Sequence, residues 1–300
     1  MKKIIFSVLI VLLCSNFSFA LFETPFVGGR YIALGLANVS EVTDPYAVIY
    51  NPAGLGYIGG IAISANYSEP FGVPGVNLIN VNVAGNVVDI VQVGLTFSSY
   101  GADINATSGL RYLIAGVSIA RAFELSDSVD FLDGISIGLS GKGLGLSLRG
   151  YELDESANTD KWNFNFDAGV NLSLFNELLK LGVVGYNLIP TKFSFLTGTQ
   201  GTEIYSALKV GTSIYLIKPY MKAFGSYSLG LNSSSPSSFS VGTEVSYADT
   251  IFTRIGLENN RITMGLGLKG PGFELNFGVQ NRDNLGWYYQ ADVIGFVDIF

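Results

Sequence analysis

Lys161-Trp162-Asn163-Phe164-Asn165-Phe166-Asp167-Ala168-Gly169-Val170-Asn171-Leu172-Ser173-Leu174-Phe175 alternates over most of its length. Trp162, Phe164, Phe166, Ala168, Val170, Leu172 and Leu174 share one parity, and Asn163, Asn165, Asp167, Gly169, Asn171 and Ser173 hold the other. Successive side chains of an extended chain point to opposite faces, so this is a strand with one oily face and one wet face. Working outward, the pattern recurs in about fourteen stretches between Tyr57 and Phe300, most of them near the 9–11 residues of a tilted strand that crosses a membrane. The first is expected at Tyr57–Tyr67, the eighth at Glu203–Ile217, the tenth at Ser238–Tyr247, the eleventh at Ile251–Glu258 and the last at Leu285–Phe300.

The connections alternate as well. Tight ones fall at Asn86-Val87, Asn176-Glu177, Lys218-Pro219, Ala248–Thr250 and Gly270-Pro271. Longer ones fall at Glu69–Gly75, Tyr100–Ser108, Gly150–Asp160, Ile189–Thr202 and Asn232–Ser237. Short turns on one rim and longer loops on the other describe an all-β, antiparallel transmembrane barrel of the bacterial outer membrane. An even strand count puts both ends of the barrel on the short-turn, periplasmic rim. A soluble sandwich or lipocalin-like barrel would turn its polar face to water, with about a quarter of that surface charged. Here charged residues are 14% of the chain, and the polar parity carries small residues such as Gly138, Ser140, Gly265 and Gly267.

The N-terminus has basic Lys2 and Lys3, an apolar run from Ile4 to Leu13, and Ser18-Phe19-Ala20. That order describes a signal peptide over residues 1–20, cleaved after Ala20; lipid attachment at Cys14 is the alternative. Residues 21–56 do not alternate and are expected to form a coil-and-helix segment preceding a barrel over residues 57–300. A net charge of −7 argues against a nucleic-acid partner, since phosphates call for clustered Lys and Arg. The chain has no histidine, which removes Ser–His and Cys–His pairs and most zinc sites. A non-enzyme without cofactor or metal is expected.

Gly28-Gly29-Arg30 through Ala33-Leu34-Gly35, followed by Asp44-Pro45-Tyr46-Ala47-Val48-Ile49-Tyr50-Asn51-Pro52-Ala53-Gly54-Leu55, resembles the N-terminal signature of FadL-like outer-membrane barrels. The closer likeness is to the PorV/PorQ group and its uncharacterised spirochaete-type relatives, although Gly29 stands where alanine is usual. Weaker similarity continues through Asp167-Ala168-Gly169-Val170, Phe252-Thr253-Arg254-Ile255-Gly256-Leu257 and Phe273-Glu274-Leu275-Asn276-Phe277. The resemblance implies fourteen strands with the N-terminal segment folded into the lumen as a hatch. It also implies one of two roles: uptake of hydrophobic compounds, or a secretion-associated barrel that binds secreted or surface proteins. Fold alone does not choose between them.

Asn51, Pro52, Ala53 and Gly54 are the candidate hatch turn, with Asn51 bonding back to its own backbone and Pro52 at the first helical position. Parity also predicts a lumenal charge ladder. A three-residue turn at Ala248–Thr250 sets Glu244 opposite Arg254, and Asn259-Asn260 sets Glu258 opposite Arg261; Lys269 and Glu274 follow. The ladder either selects solutes or braces the inner wall. Phe26, Phe71, Phe193, Phe195 and Leu196 are candidate contacts for a hydrophobic ligand, or else they pack the loops. Trp162, Tyr220, Tyr247 and Trp287 read as interface girdle. Expected partners are outer-membrane lipid, the barrel-assembly machinery that reads the strand ending in Phe300, and either hydrophobic small molecules or secreted and surface proteins. Asp298 sits awkwardly on the apolar parity of that strand.

Overall fold

The computed structural model describes residues 27–88, 91–103, 109–125, 131–149, 159–193, 202–233, 235–282 and 286–297. Their wall runs β1 (Ile61–Ser68), β2 (Val76–Val88), β3 (Val91–Asp103), β4 (Gly109–Glu124), β5 (Leu132–Arg149), β6 (Thr159–Leu174) and β7 (Leu179–Tyr186). It continues with β10 (Ala207–Ile217), β11 (Met221–Gly230), β12 (Ser238–Tyr247), β13 (Ile251–Glu258), β14 (Arg261–Gly270), β15 (Phe273–Asn281) and β16 (Trp287–Val297). These fourteen antiparallel strands close into one barrel, β1 meeting β16 from Ile61 opposite Val297 to Tyr67 opposite Ala291. Closure leaves no sheet edge unpaired, which is what a sheet needs to cross hydrocarbon.

The alternation is obeyed. Phe164 is 74% exposed on the outer face while its neighbour Asn165 is fully buried inside. Trp162 and Trp287 at the loop end, and Tyr220 and Tyr247 at the short-turn end, are exposed outward, as amphipathic rings at a membrane surface are. The molecule is a membrane-type β-barrel.

Two strand starts move furthest from the sequence reading. The first strand begins at Ile61, because Tyr57 closes the 3-10 turn η1 (Pro52–Tyr57). The eighth begins at Ala207, not Glu203. Ahead of it, the Asn187 amide donates to Tyr205 O at 2.6 Å and Ser206 N donates to Ser235 Oγ at 2.7 Å, so side chains take the place of a ladder. Glu203 belongs to a separate ribbon of β8 (Lys192–Phe193) and β9 (Thr202–Glu203), where it pairs with Lys192 at 3.0 Å. The Ala248–Thr250 and Asn259-Asn260 turns give the predicted registers, Glu244 opposite Arg254 and Glu258 opposite Arg261. Asp298 and Phe300 lie outside the described residues.

Inside the wall lie α1 (Gly29–Ala33), α2 (Ala47–Tyr50) and η1, nearly all of them buried. The small inward parity is their seat. Glycines face each other across neighbouring strands at Gly138/Gly169, Gly182/Gly211, Gly242/Gly256 and Gly265/Gly278. A Cβ on Gly138 would meet Pro52 C at 2.3 Å, on Gly242 Leu34 O at 2.6 Å, and on Gly278 Gly29 O at 2.2 Å. Gly29, where the resembled motif has alanine, itself lies against the Asn276–Phe277 backbone of β15, which a Cβ would approach to 2.8 Å. The inner segment is thus laid backbone against wall, closer than any larger residue permits.

Gly278→Ala and Gly138→Ala are therefore expected to dislodge the inner segment while the barrel still forms. Gly141→Ala, whose Cβ would face outward at an ordinary 3.5 Å from Phe166, is expected to be neutral. Hydrogen exchange of residues 29–57, with heat-modifiable gel migration as the barrel control, checks this; equal protection in all three variants contradicts it.

Candidate functional site in the plugged lumen

Each piece of the inner segment is tied to a different sector of wall. Asn51 caps η1 by accepting from Ala53 N at 3.1 Å, as the Asn-Pro pair suggested, and its amide also reaches Val39 O and the Asn171 side chain, both at 2.8 Å. Ser136 donates to Ala53 O at 2.6 Å, and Gly54 packs so closely under Val42 O that a Cβ would lie 1.8 Å from it. Asn51, Pro52, Ala53 and Gly54 are all buried.

Charged side chains pair along the inner wall, and the pairing continues into the plug. Glu244 accepts from Arg254 Nε at 2.7 Å and from Arg30 of α1 at 3.2 Å. Arg254 Nη1 donates to Asn276 at 2.6 Å, Asn276 donates to Asp292 at 3.2 Å, and Asp292 accepts from the backbone N–H of Gly29. A ring of bonds leaves the plug at Arg30 and returns at Gly29. Arg254 also stands 3.7 Å from Glu274. Toward the loops, Glu258 holds Arg261 at 3.8 Å and Arg282 at 3.9 Å. Lys269 is opposite Glu274 in register but is exposed at the short-turn rim. A second tie runs from Glu41 to Lys222 and to Ser213 Oγ at 3.0 Å, and a third from Lys209 Nζ to Leu36 O at 2.6 Å. Sequence parity singles out Glu244, Arg254, Glu258, Arg261 and Glu274 on the wall, but not Lys209, Ser213, Lys222 or Asn276. Arg30 and Glu41 were missed because a non-alternating segment gives no parity from which to infer partners, and Asp292 of β16 was missed because its partner Gly29 lies in that segment.

Toward the loops the lumen changes character. Ile114 and Tyr112 of β4 pair with Leu144 and Leu146 of β5, and all four point inward. Phe193 and Ile204, from the β8–β9 connection, cover them in one apolar cluster. Of the five candidate ligand contacts, Phe193 sits here; Phe71 lies in a short turn at Pro70–Gly72; Phe26, Phe195 and Leu196 lie outside the described residues. Directly beneath the cluster, a recess is floored by Val48 and Ile49 of the plug and walled by Ser140, Lys142, Asp167 and Asn187. Its volume is about 20 Å³, room for about one water.

Within the plug, Asp44 accepts from Tyr46 N at 2.9 Å and from the Tyr31 hydroxyl. Burial pushes the Asp44 carboxyl up to about 6, against the opposing pull of Arg30 and its hydrogen bonds, with Glu274 adding to the rise. Glu41 is also pushed up by burial, but Lys222, Lys180 and Arg30 outweigh that and hold it below the ordinary carboxylate range.

Fold and site together define a membrane barrel whose lumen carries a docked N-terminal plug. Among solved structures, the chain is similar to the CymD monoaromatic hydrocarbon channel at 10% identity. The match covers 92% of this chain and 99% of that one, with a TM-score of 0.64. It is likewise similar to the Pseudomonas putida toluene transporter TodX at 11% identity, over 95% of this chain and 100% of that one, with a TM-score of 0.56. The fold is that of these channels. No protein-family model and no curated protein matches the chain.

Glu244→Ala would strand two buried guanidinium groups, a cost on the order of 3–5 kcal/mol. It is expected to appear as lost exchange protection in α1 with the barrel retained; unchanged protection contradicts it. The titrations work in opposite directions. Asp44, raised in the fold, favours plug docking below about pH 4 and loses that contribution, on the order of 3 kcal/mol, as pH climbs through about 6. Glu41, lowered in the fold, contributes above its unfolded value and is lost as pH falls through its folded one. Protection of residues 29–57 should therefore rise from pH 7 toward pH 5 and fall again in stronger acid. Asp44→Asn should shrink the first limb and Glu41→Gln the second; a flat wild-type profile would refute both assignments.

Proposed function

We propose that this chain is an outer-membrane barrel for passive transfer of hydrophobic or small amphipathic solutes. Residues 1–20 are its export signal and the plug is its hatch. The observation that carries the reading is the inward apolar patch of Tyr112, Ile114, Leu144 and Leu146 above the plug. A lumen meant only for water and ions has no use for leucines on its inner wall, whereas an oily solute gains by burying itself there. That CymD and TodX carry the names of hydrocarbon channels supports the same class of cargo. Passage then requires the plug to shift, and its attachment to the wall by polar ties and van der Waals contact, apart from its chain connection into β1, permits that. The Asn-Pro-Ala-Gly block supports a place near the PorV/PorQ group. A rival role, in which the barrel anchors loops that bind secreted or surface proteins, draws on the filled lumen, since a scaffold needs no passage.

A crosslink separates the two. A Cβ on Gly211 would lie 3.0 Å from Val39 Cβ, so the seam must open by about half an ångström to reach the 3.5–4.5 Å Cβ separation of a disulfide. The pair Val39→Cys with Gly211→Cys is expected to abolish toluene entry into proteoliposomes when oxidised and to restore it when reduced. Entry that ignores the crosslink would rule out hatch movement at this seam, and no entry in either state would defeat transport.

A further inference from the structure

We infer that Phe193 and Ile204 stand in for cargo: the apolar inner face of β4 and β5 is the seat of a small hydrocarbon, and the β8–β9 ribbon keeps that seat closed by filling it. The inference rests on the transfer reading above and names how the same patch is regulated. Leu144 and Leu146 face the lumen opposite Ile114 and Tyr112 in register, with Leu110 packed against the same cluster. Phe193 is 1% exposed and Ile204 2%, so both are buried as fully as core residues although neither belongs to a barrel strand. The patch is what buries them. An apolar side chain at the mouth of a lumen loses by standing in water and gains by lying on leucine. A solute of the same character gains in the same place, so cap and cargo compete for one surface.

The cap also sets the size of that solute. The side chain of Phe193 is toluene less one hydrogen, and that of Ile204 is a short branched alkyl group. A ring and a short alkyl chain are therefore what the seat holds once the cap withdraws, whereas a long acyl chain exceeds both. Withdrawal is open to the ribbon because it stands outside the barrel ladder. Its internal bonds travel with it: Lys192 pairs with Glu203 at 3.0 Å, and Ile204 N donates to Thr191 O at 3.0 Å. Side chains tie it to the barrel. Asn163 donates to Lys192 O at 3.4 Å and Ser233 to Glu203 at 3.1 Å, both exposed, and Asn232 donates to Ile204 O at 2.7 Å. Exposed bonds of this kind are exchanged for bonds to water at little net cost. At the base, Asn165 accepts from Ile189 N at 3.0 Å and donates to Ile189 O at 2.9 Å, and Asn187 donates to Tyr205 O at 2.6 Å. These bonds fix the line about which the ribbon moves.

Equilibrium dialysis of labelled toluene with the full barrel in detergent, against a detergent blank, tests this. A seat covered in about nine molecules of ten binds about tenfold more weakly than a bare one. Phe193→Ala combined with Ile204→Ala is therefore expected to tighten toluene binding by about that factor, and adding Leu144→Asn to the pair should abolish the gain. In a barrel that keeps Phe193, Ile204→Cys should react several-fold faster with a charged maleimide as toluene fills the seat, because cargo drives the cap into water. Toluene binding that is equal or weaker in the uncapped barrel overturns the inference. So does labelling that ignores toluene, and this second measurement decides if the uncapped barrel fails to fold. Either failure with toluene still entering proteoliposomes sinks the cap but not the transfer role, whereas no binding and no entry, capped or uncapped, sinks both.

Discussion

An irregular chain inside a barrel must find a partner for each peptide group it takes out of water, and this requirement organises the interior. The plug cannot satisfy itself, for its helices α1 and α2 are only five and four residues long. The wall supplies the missing groups one by one. Thr263 donates to Ala33 O at 2.9 Å, Lys209 to Leu36 O at 2.6 Å and Ser136 to Ala53 O at 2.6 Å, while Tyr186 takes Tyr50 O and Asp292 takes Gly29 N. These partners come from β14, β10, β5, β7 and β16, spread around the ring. The plug is held from many sides by single bonds, each modest in net worth but expensive to leave broken.

Such bonding demands close approach, and this gives the inward glycines their purpose. A barrel of about eight strands already has an interior that side chains can fill; fourteen leave room for a chain. Where that chain touches the wall, a side chain on the wall would hold it off. The paired glycines are where backbone meets backbone, and the serines, threonines and lysines between them are where the hydrogen bonds are made. The charge ladder belongs to the same scheme. Glu244 serves Arg254 of the wall and Arg30 of the plug together, so removing Glu244 leaves charge uncompensated in a buried place.

Much of this was legible in the chain, for a physical reason. Strands that separate oil from water are forced to alternate, so parity gave the strand count, the faces and the register of Glu244 against Arg254. The smallness of the inward set, with Gly138 and Gly265 among it, was visible too, but not its meaning, since nothing in a glycine says what lies above it. The plug was legible only as the place where alternation stops. Its contacts with the wall span a large part of the chain, as in Arg30 with Glu244 or Gly29 with Asp292, and no local spacing encodes such pairs. The β8–β9 ribbon was hidden by the same limit: Glu203 alternates as a strand should, but it pairs with Lys192 outside the barrel.

The division of the lumen into two halves follows from where the plug ends. Around α1 and η1 the wall is polar and small because it must bond and admit a backbone. Above α2 that demand ceases, and β4 and β5 run on toward the loops with Ile114, Leu144 and Leu146 turned inward. On the outer face of this stretch β5 carries Gly141, Gly143 and Gly145, over which Trp162 and Phe166 of β6 lie. Bulk has moved from the outside of the wall to the inside. Apolar residues facing a lumen gain nothing from lipid and lose by contact with water, so they are stable only when covered. Phe193 and Ile204 cover them here, and a solute of similar character would exchange one apolar cover for another at little cost. Carrying the cover on a connection, away from any barrel strand, allows that exchange without breaking the ladder that keeps the barrel closed.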